Sequence, residues 1–91
     1  MNVDKKIKEL GFRKIGETEK YCTFERYDKQ HDYQQIVDIR YRTVWNTFAI
    51  KSYDKDLMDE HKIGNTCVAL TLEEVELFAK KMKQMNKKYN A

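Results

Sequence analysis

Four side chains able to hold a metal ion, or to act as nucleophile and base, are spread along this chain: Cys22, His31, His61 and Cys67. A Cys2His2 zinc site draws its ligands as close pairs. Here the successive gaps are nine, thirty and six residues, with neither a close cysteine pair nor a close histidine pair, so no metal centre is expected. Asp54-Lys55-Asp56 followed by Asp59-Glu60 resembles a calcium loop in its acids alone. The sixth and twelfth positions, where an EF-hand needs glycine and glutamate, hold Asp59 and Asn65, which favours a solvated acidic loop. Gly11, Gly16 and Gly64 are too scattered to cradle a phosphate, and neither HExxH nor GxSxG occurs. Cys22 with a histidine is the nucleophile and base pair that the sequence leaves open. The chain reads as a non-enzyme without a cofactor.

Two further constellations suit binding rather than catalysis. Lys80, Lys81, Lys83, Lys87 and Lys88 fall within the last fifteen residues with no acid among them, a local charge of +5 where residues 1–76 carry −2. Such a tail suits nucleic acid. It is also what a helix end carries, since lysines there and Glu73, Glu74 and Glu76 at the start complement the macrodipole, and that structural reading is preferred. The second constellation depends on a sheet with helices on one side. Its other side would show Tyr21, Tyr27, Ile36, Arg40, Arg42, Trp45 and Lys51. Aromatics beside arginines stack on single-stranded nucleic acid, and they also anchor protein interfaces. No RNP-type run of glycine and aromatics is present, and Glu25 and Asp38 sit amid the patch, so contact with another protein or a second copy is preferred and nucleic acid is the alternative. Mutual covering of the side chains across strands is the purely structural account.

The elements that must position these residues are legible from periodicity. Asn2 can cap a helix over about residues 3–10, with Val3, Ile7 and Leu10 at helical spacing and Gly11 as its stop. Phe12 to Ile15 reads as a brief strand closed by Gly16-Glu17-Thr18-Glu19, and Tyr21 to Tyr27 as a longer one. The cluster Asp28-Lys29-Gln30-His31-Asp32 is a turn. Tyr33 to Tyr41 alternates, with Tyr33, Val37, Ile39 and Tyr41 facing one way and Gln34, Asp38 and Arg40 the other. Closing this hairpin around Gln30-His31 sets Phe24 opposite Val37 and Cys22 opposite Ile39, a register that a slip of one residue would destroy.

A third long strand is expected over Val44 to Ser52, after a tight turn near Arg42-Thr43, with Val44, Phe48 and Ile50 toward the core and Trp45, Thr47 and Lys51 away from it. Residues 53–65 form a connection with one helical turn after Asp54, and Thr66 to Leu70 can add a short edge strand. Thr71-Leu72-Glu73-Glu74 is a capping box, with Leu70 and Val75 as its hydrophobic staple. The stripe Val75, Phe78, Ala79, Met82, Met85 and Tyr89 carries the final helix from Leu72 to about Lys88. The fold class is therefore α+β: a three- to five-stranded antiparallel meander, with a short N-terminal helix and a long C-terminal helix on one face.

Composition bounds the rest. Ninety-one residues suit one domain over 1–91. A hydrophobic share of 41% provides a core, while 36% charged residues and a mean hydropathy of −0.88 describe a well-solvated surface. The apolar runs are far too short for a membrane span, and the charged start beginning Met1-Asn2-Val3-Asp4 is unlike an export signal. A cytoplasmic location is expected, with Cys22 and Cys67 as buried thiols rather than a disulfide.

The chain resembles small uncharacterised proteins of phages and integrated elements of low-GC Gram-positive bacteria. The likeness rests on the first helix ending Leu10-Gly11-Phe12, on Tyr21-Cys22-Thr23-Phe24-Glu25-Arg26, on the strand from Ile36 to Ile39, and on Leu70-Thr71-Leu72-Glu73-Glu74-Val75. It implies a small accessory or regulatory protein that acts by binding, and it transfers no catalytic residue.

Overall fold

The computed structural model describes residues 2–57 and 67–90. Helix α1 spans Val3–Glu9, and the Asn2 side chain accepts the Lys5 amide at 3.0 Å as its cap. Leu10 ends the helix and Gly11 turns the chain at φ +96°, where a Cβ would also meet the Arg26 side chain at 3.3 Å. Four strands follow in chain order and pair in that same order, each antiparallel to the next: β1 Arg13–Glu17, β2 Tyr21–Asp28, β3 Tyr33–Arg42 and β4 Thr47–Asp54. Helix α2 covers Leu72–Asn90. The α+β meander with both helices on one face is thus the fold observed.

The expected register holds: Phe24 pairs with Val37 and Cys22 with Ile39. These four are buried with Val3, Ile7, Phe12, Phe48, Leu77, Phe78 and Met85 in one cluster shared by the helices and β2 to β4. The Phe12 and Phe24 rings both meet Phe78 edge-on, at 5.2 and 5.5 Å.

Several boundaries differ from expectation. β1 runs through Gly16, because a bulge at Ile15 breaks its pairing with β2 between Lys14 and Gly16. The extra residue places Lys14, opposite Phe24, and Glu17, opposite Cys22, on the same helix-facing side. β4 begins at Thr47 rather than Val44. Residues 43–46 form the turn, with Trp45 donating its amide to the Arg42 carbonyl (3.1 Å) and Asn46 donating to Thr43 (3.2 Å) at a left-handed φ of +53°. Val44 therefore projects into solvent, 87% exposed, instead of joining the core. Residues 55–57 are helical, capped by Asp54 accepting the Leu57 amide. Of the expected edge strand, Cys67 makes one antiparallel bridge with Tyr53 and Val68 donates to Ser52 at 3.0 Å; Thr66, like His61, lies outside the described residues.

The capping box is formed in both directions, with Thr71 N–H donating to Glu74 (2.9 Å) and Glu74 N–H to Thr71 Oγ1 (3.2 Å). The buried face of α2 is rotated from the apolar stripe read in the sequence. Val75 is 48% exposed, which removes the expected staple contact from the core, while Glu74 and Lys81 are buried along with Leu77, Phe78 and Met85. Arg26 explains Glu74: its guanidinium donates to Glu74 (2.7 Å), the Leu10 carbonyl (3.1 Å) and Gln35 (2.9 Å), and lies over the Phe12 ring. Gln35 passes the network on to Ser52 at 2.9 Å.

Candidate functional site

Alternation along β2, β3 and β4 builds the face turned away from the helices. Its rows follow the pairing: Tyr21, Arg40 and Ala49 in one, Thr23, Asp38 and Lys51 in the next, Glu25, Ile36 and Tyr53 beyond. Ala49 is the smallest side chain there and stands among long ones. The result is an open groove of about 230 Å³ over Ala49, lined by Asp38, Arg40, Arg42, Trp45, Ile50 and Lys51.

The acids of this face are internally satisfied. Asp38 is buried, accepting from Thr23 Oγ1 at 3.0 Å and from Arg40 Nε at 2.6 Å, and Glu25 is paired with Arg13. Arg42 and Lys51, by contrast, meet rings: the Arg42 guanidinium lies 5.5 Å from the Trp45 centroid and the Lys51 ammonium 5.1 Å from that of Tyr53. Arg40 covers Tyr21 at 5.1 Å. Trp45 is 64% exposed on a turn that is fixed by its two backbone hydrogen bonds and by the Tyr41 hydroxyl against the Asn46 side chain.

The structure divides the predicted face residues. Tyr21, Arg40, Arg42, Trp45 and Lys51 converge at the β3–β4 end of the sheet. Tyr27 is exposed at the opposite end, with its hydroxyl on Asp32. Ile36 lies on this face as expected but is only 5% exposed, between its cross-strand neighbours Glu25 and Tyr53, and so offers no surface for contact. Val44, expected to face the core, is exposed on the turn next to Trp45.

The lysine set is also corrected. Lys80, Lys83, Lys87 and Lys88 are exposed, but Lys81 is 1% exposed and reaches Asp4 and Glu17 at 2.8 Å each. Glu17 further accepts from Lys14 (3.1 Å) and from the Tyr89 hydroxyl (2.7 Å), and Lys14 reaches Asp4 at 2.8 Å. Burial pushes the Glu17 carboxyl up, but Lys81, Tyr89 and Lys14 outweigh it and hold it down at about 2. Burial likewise pulls the Lys81 ammonium down, and Asp4 and Glu17 more than compensate. This network clamps α1, β1 and α2 together. Lys80, Lys83 and Lys87 sit on the solvent side of α2, on the far side of the two-layer body from the groove, while Lys88, though exposed, flanks the clamp at 3.8 Å from Glu17.

The nucleophile candidates part company. Cys22 is buried in the core, and burial pushes its thiol up to about 12, a poor source of thiolate. Cys67 is exposed, contrary to the expectation of a buried thiol, and both cysteines are free. His31 occupies the predicted turn, its ring 3.2 Å from Asp28. Among the described residues no three His, Cys, Asp or Glu side chains are grouped to hold a metal ion, and no helix is long and apolar enough to cross a membrane. No family model, no curated protein and no solved structure matches this chain.

Proposed function

We propose that this chain is a small cytoplasmic, non-enzymatic accessory module, of the kind phages and mobile elements carry, that docks onto another protein through the outer face of its sheet. The observation that carries the reading is the β3–β4 turn: Val44 and Trp45, 87% and 64% exposed, are held out by a hydrogen-bonded turn beside a groove lined by Arg40, Arg42 and Lys51. A rigid indole presented with arginines is the residue combination that dominates binding energy at protein interfaces, because little side-chain freedom is lost on contact. The non-enzymatic part rests on the core position and raised thiol of Cys22.

Nucleic acid is less well supported. A stacking platform presents two or three bare ring faces, whereas Arg40 covers Tyr21 and Lys51 covers Tyr53. The test is affinity capture from source cells, with and without nuclease, using the wild-type chain and the Arg40→Ala/Trp45→Ala variant, together with the sedimentation of each. The reading expects a nuclease-resistant partner, or self-association, that the variant loses. An unchanged set of partners and an unchanged oligomeric state would end it.

A further inference from the structure

We infer that the groove over Ala49 receives the carboxylate of an acidic segment of the partner, with an apolar side chain next to that acid packing on Trp45 and Val44. The inference rests on the docking surface proposed above and names the chemistry of what docks there. Three cations line the groove, and its one acid, Asp38, is already saturated by Thr23 and Arg40. Arg40 commits its Nε to Asp38. Among the described residues no carboxylate lies within ion-pair distance of Arg42 or Lys51. The face therefore carries uncompensated positive charge beside a small-residue floor, and an incoming carboxylate is its electrostatic complement.

Size narrows the class. At about 230 Å³ the groove is below the roughly 300–1,000 Å³ of sites that enclose a whole small molecule, and it suits one side chain of a longer ligand. The wall is apolar on the Trp45 side, and Val44, the residue before Trp45 on the same turn, is exposed, so an acid flanked by aliphatic residues suits both kinds of surface. A phosphodiester strand would satisfy the cations but would leave Val44 without a partner.

The test is a low-salt titration of the full chain, labelled with nitrogen-15 and followed by its amide and indole N–H resonances. The probes are a blocked hexapeptide alternating glutamate and leucine, its lysine–leucine counterpart, and an oligothymidylate of about eight residues. The inference expects the glutamate peptide to shift Arg40, Arg42, Ala49, Lys51 and the Trp45 indole, and the lysine peptide to leave them in place. Arg42→Gln/Lys51→Gln, whose exposed positions leave the spectrum dispersed, should weaken the glutamate peptide about tenfold. Absence of shifts with the glutamate peptide, shifts confined to Lys80, Lys83, Lys87 and Lys88, or tighter binding of oligothymidylate to the groove would each overturn it. Should the glutamate peptide fail while Trp45→Ala still abolishes capture of the cellular partner, the acidic-segment inference falls and the docking surface stands.

Discussion

Replacing Lys81 with methionine separates a lysine that holds the fold from lysines that decorate it. Methionine keeps most of the side-chain volume while removing the ammonium that sits 2.8 Å from both Asp4 and Glu17 and 3.1 Å from Gln84. Removing the sole partner of a buried charge costs about 3–5 kcal/mol. The two carboxylates here retain Lys14, at 2.8 and 3.1 Å, and Glu17 retains the Tyr89 hydroxyl, so the expected loss is about 2–3 kcal/mol. A domain of this size has on the order of 5–13 kcal/mol in hand, so the variant folds. Urea unfolding at neutral pH, with a slope of about 1.5 kcal/mol per molar, should place its midpoint about 1.5 M below wild type. Lys80→Met, one residue away and exposed, should change stability by less than about 0.5 kcal/mol. Equal, small losses in the two variants would refute the account of Lys81 as a buried clamp.

The same clamp has a pH signature. Glu17 is held at about 2 against an ordinary 4.5, so its contribution, on the order of 3 kcal/mol, is complete above pH 4.5 and is lost as pH falls through about 2; the urea midpoint of Glu17→Gln should be nearly free of that acid limb. Arg26→Met leaves Glu74 and Gln35 without their shared donor and should cost about 2–4 kcal/mol by urea unfolding, with the amide of Thr71 losing hydrogen-exchange protection. Gly11→Ala, at φ +96° and against Arg26, should cost at least about 1 kcal/mol by the same measurement. With a disulfide-exchange reagent at pH 8, native protein should titrate one thiol quickly, Cys67, and reveal Cys22 only in denaturant.

The parts of this fold legible in the sequence are those written in short-range pattern. Phe24 facing Val37 follows from two alternating strands and a polar turn, and the Thr71–Glu74 box from residue types at fixed spacing. The burial of Lys81 is not legible from residue type, since lysine is ordinarily exposed, although Phe78, Lys81 and Met85 share one helical stripe. Its partner Glu17 reaches the helix side only through the bulge at Ile15, for which Gly16 is the sole local hint. Val44 and Trp45 have residue types that favour strands, but the backbone hydrogen bonds of the turn and the left-handed Asn46 prevail. At the candidate site Trp45 joins the others from a turn and not from a strand, whereas the shared face of Arg40, Arg42 and Lys51 was legible from alternation. The burial of Ile36 and the groove over Ala49 were not, since both depend on which residues stand across from them in neighbouring strands.

The central claim, that the β3–β4 end of the outer sheet face is the binding surface, is tested most directly by hydrogen exchange on the full chain with and without its captured partner. The account predicts slowed exchange concentrated in residues 40–51, with the solvent side of α2 unchanged. Protection confined to residues 80–89 would contradict it.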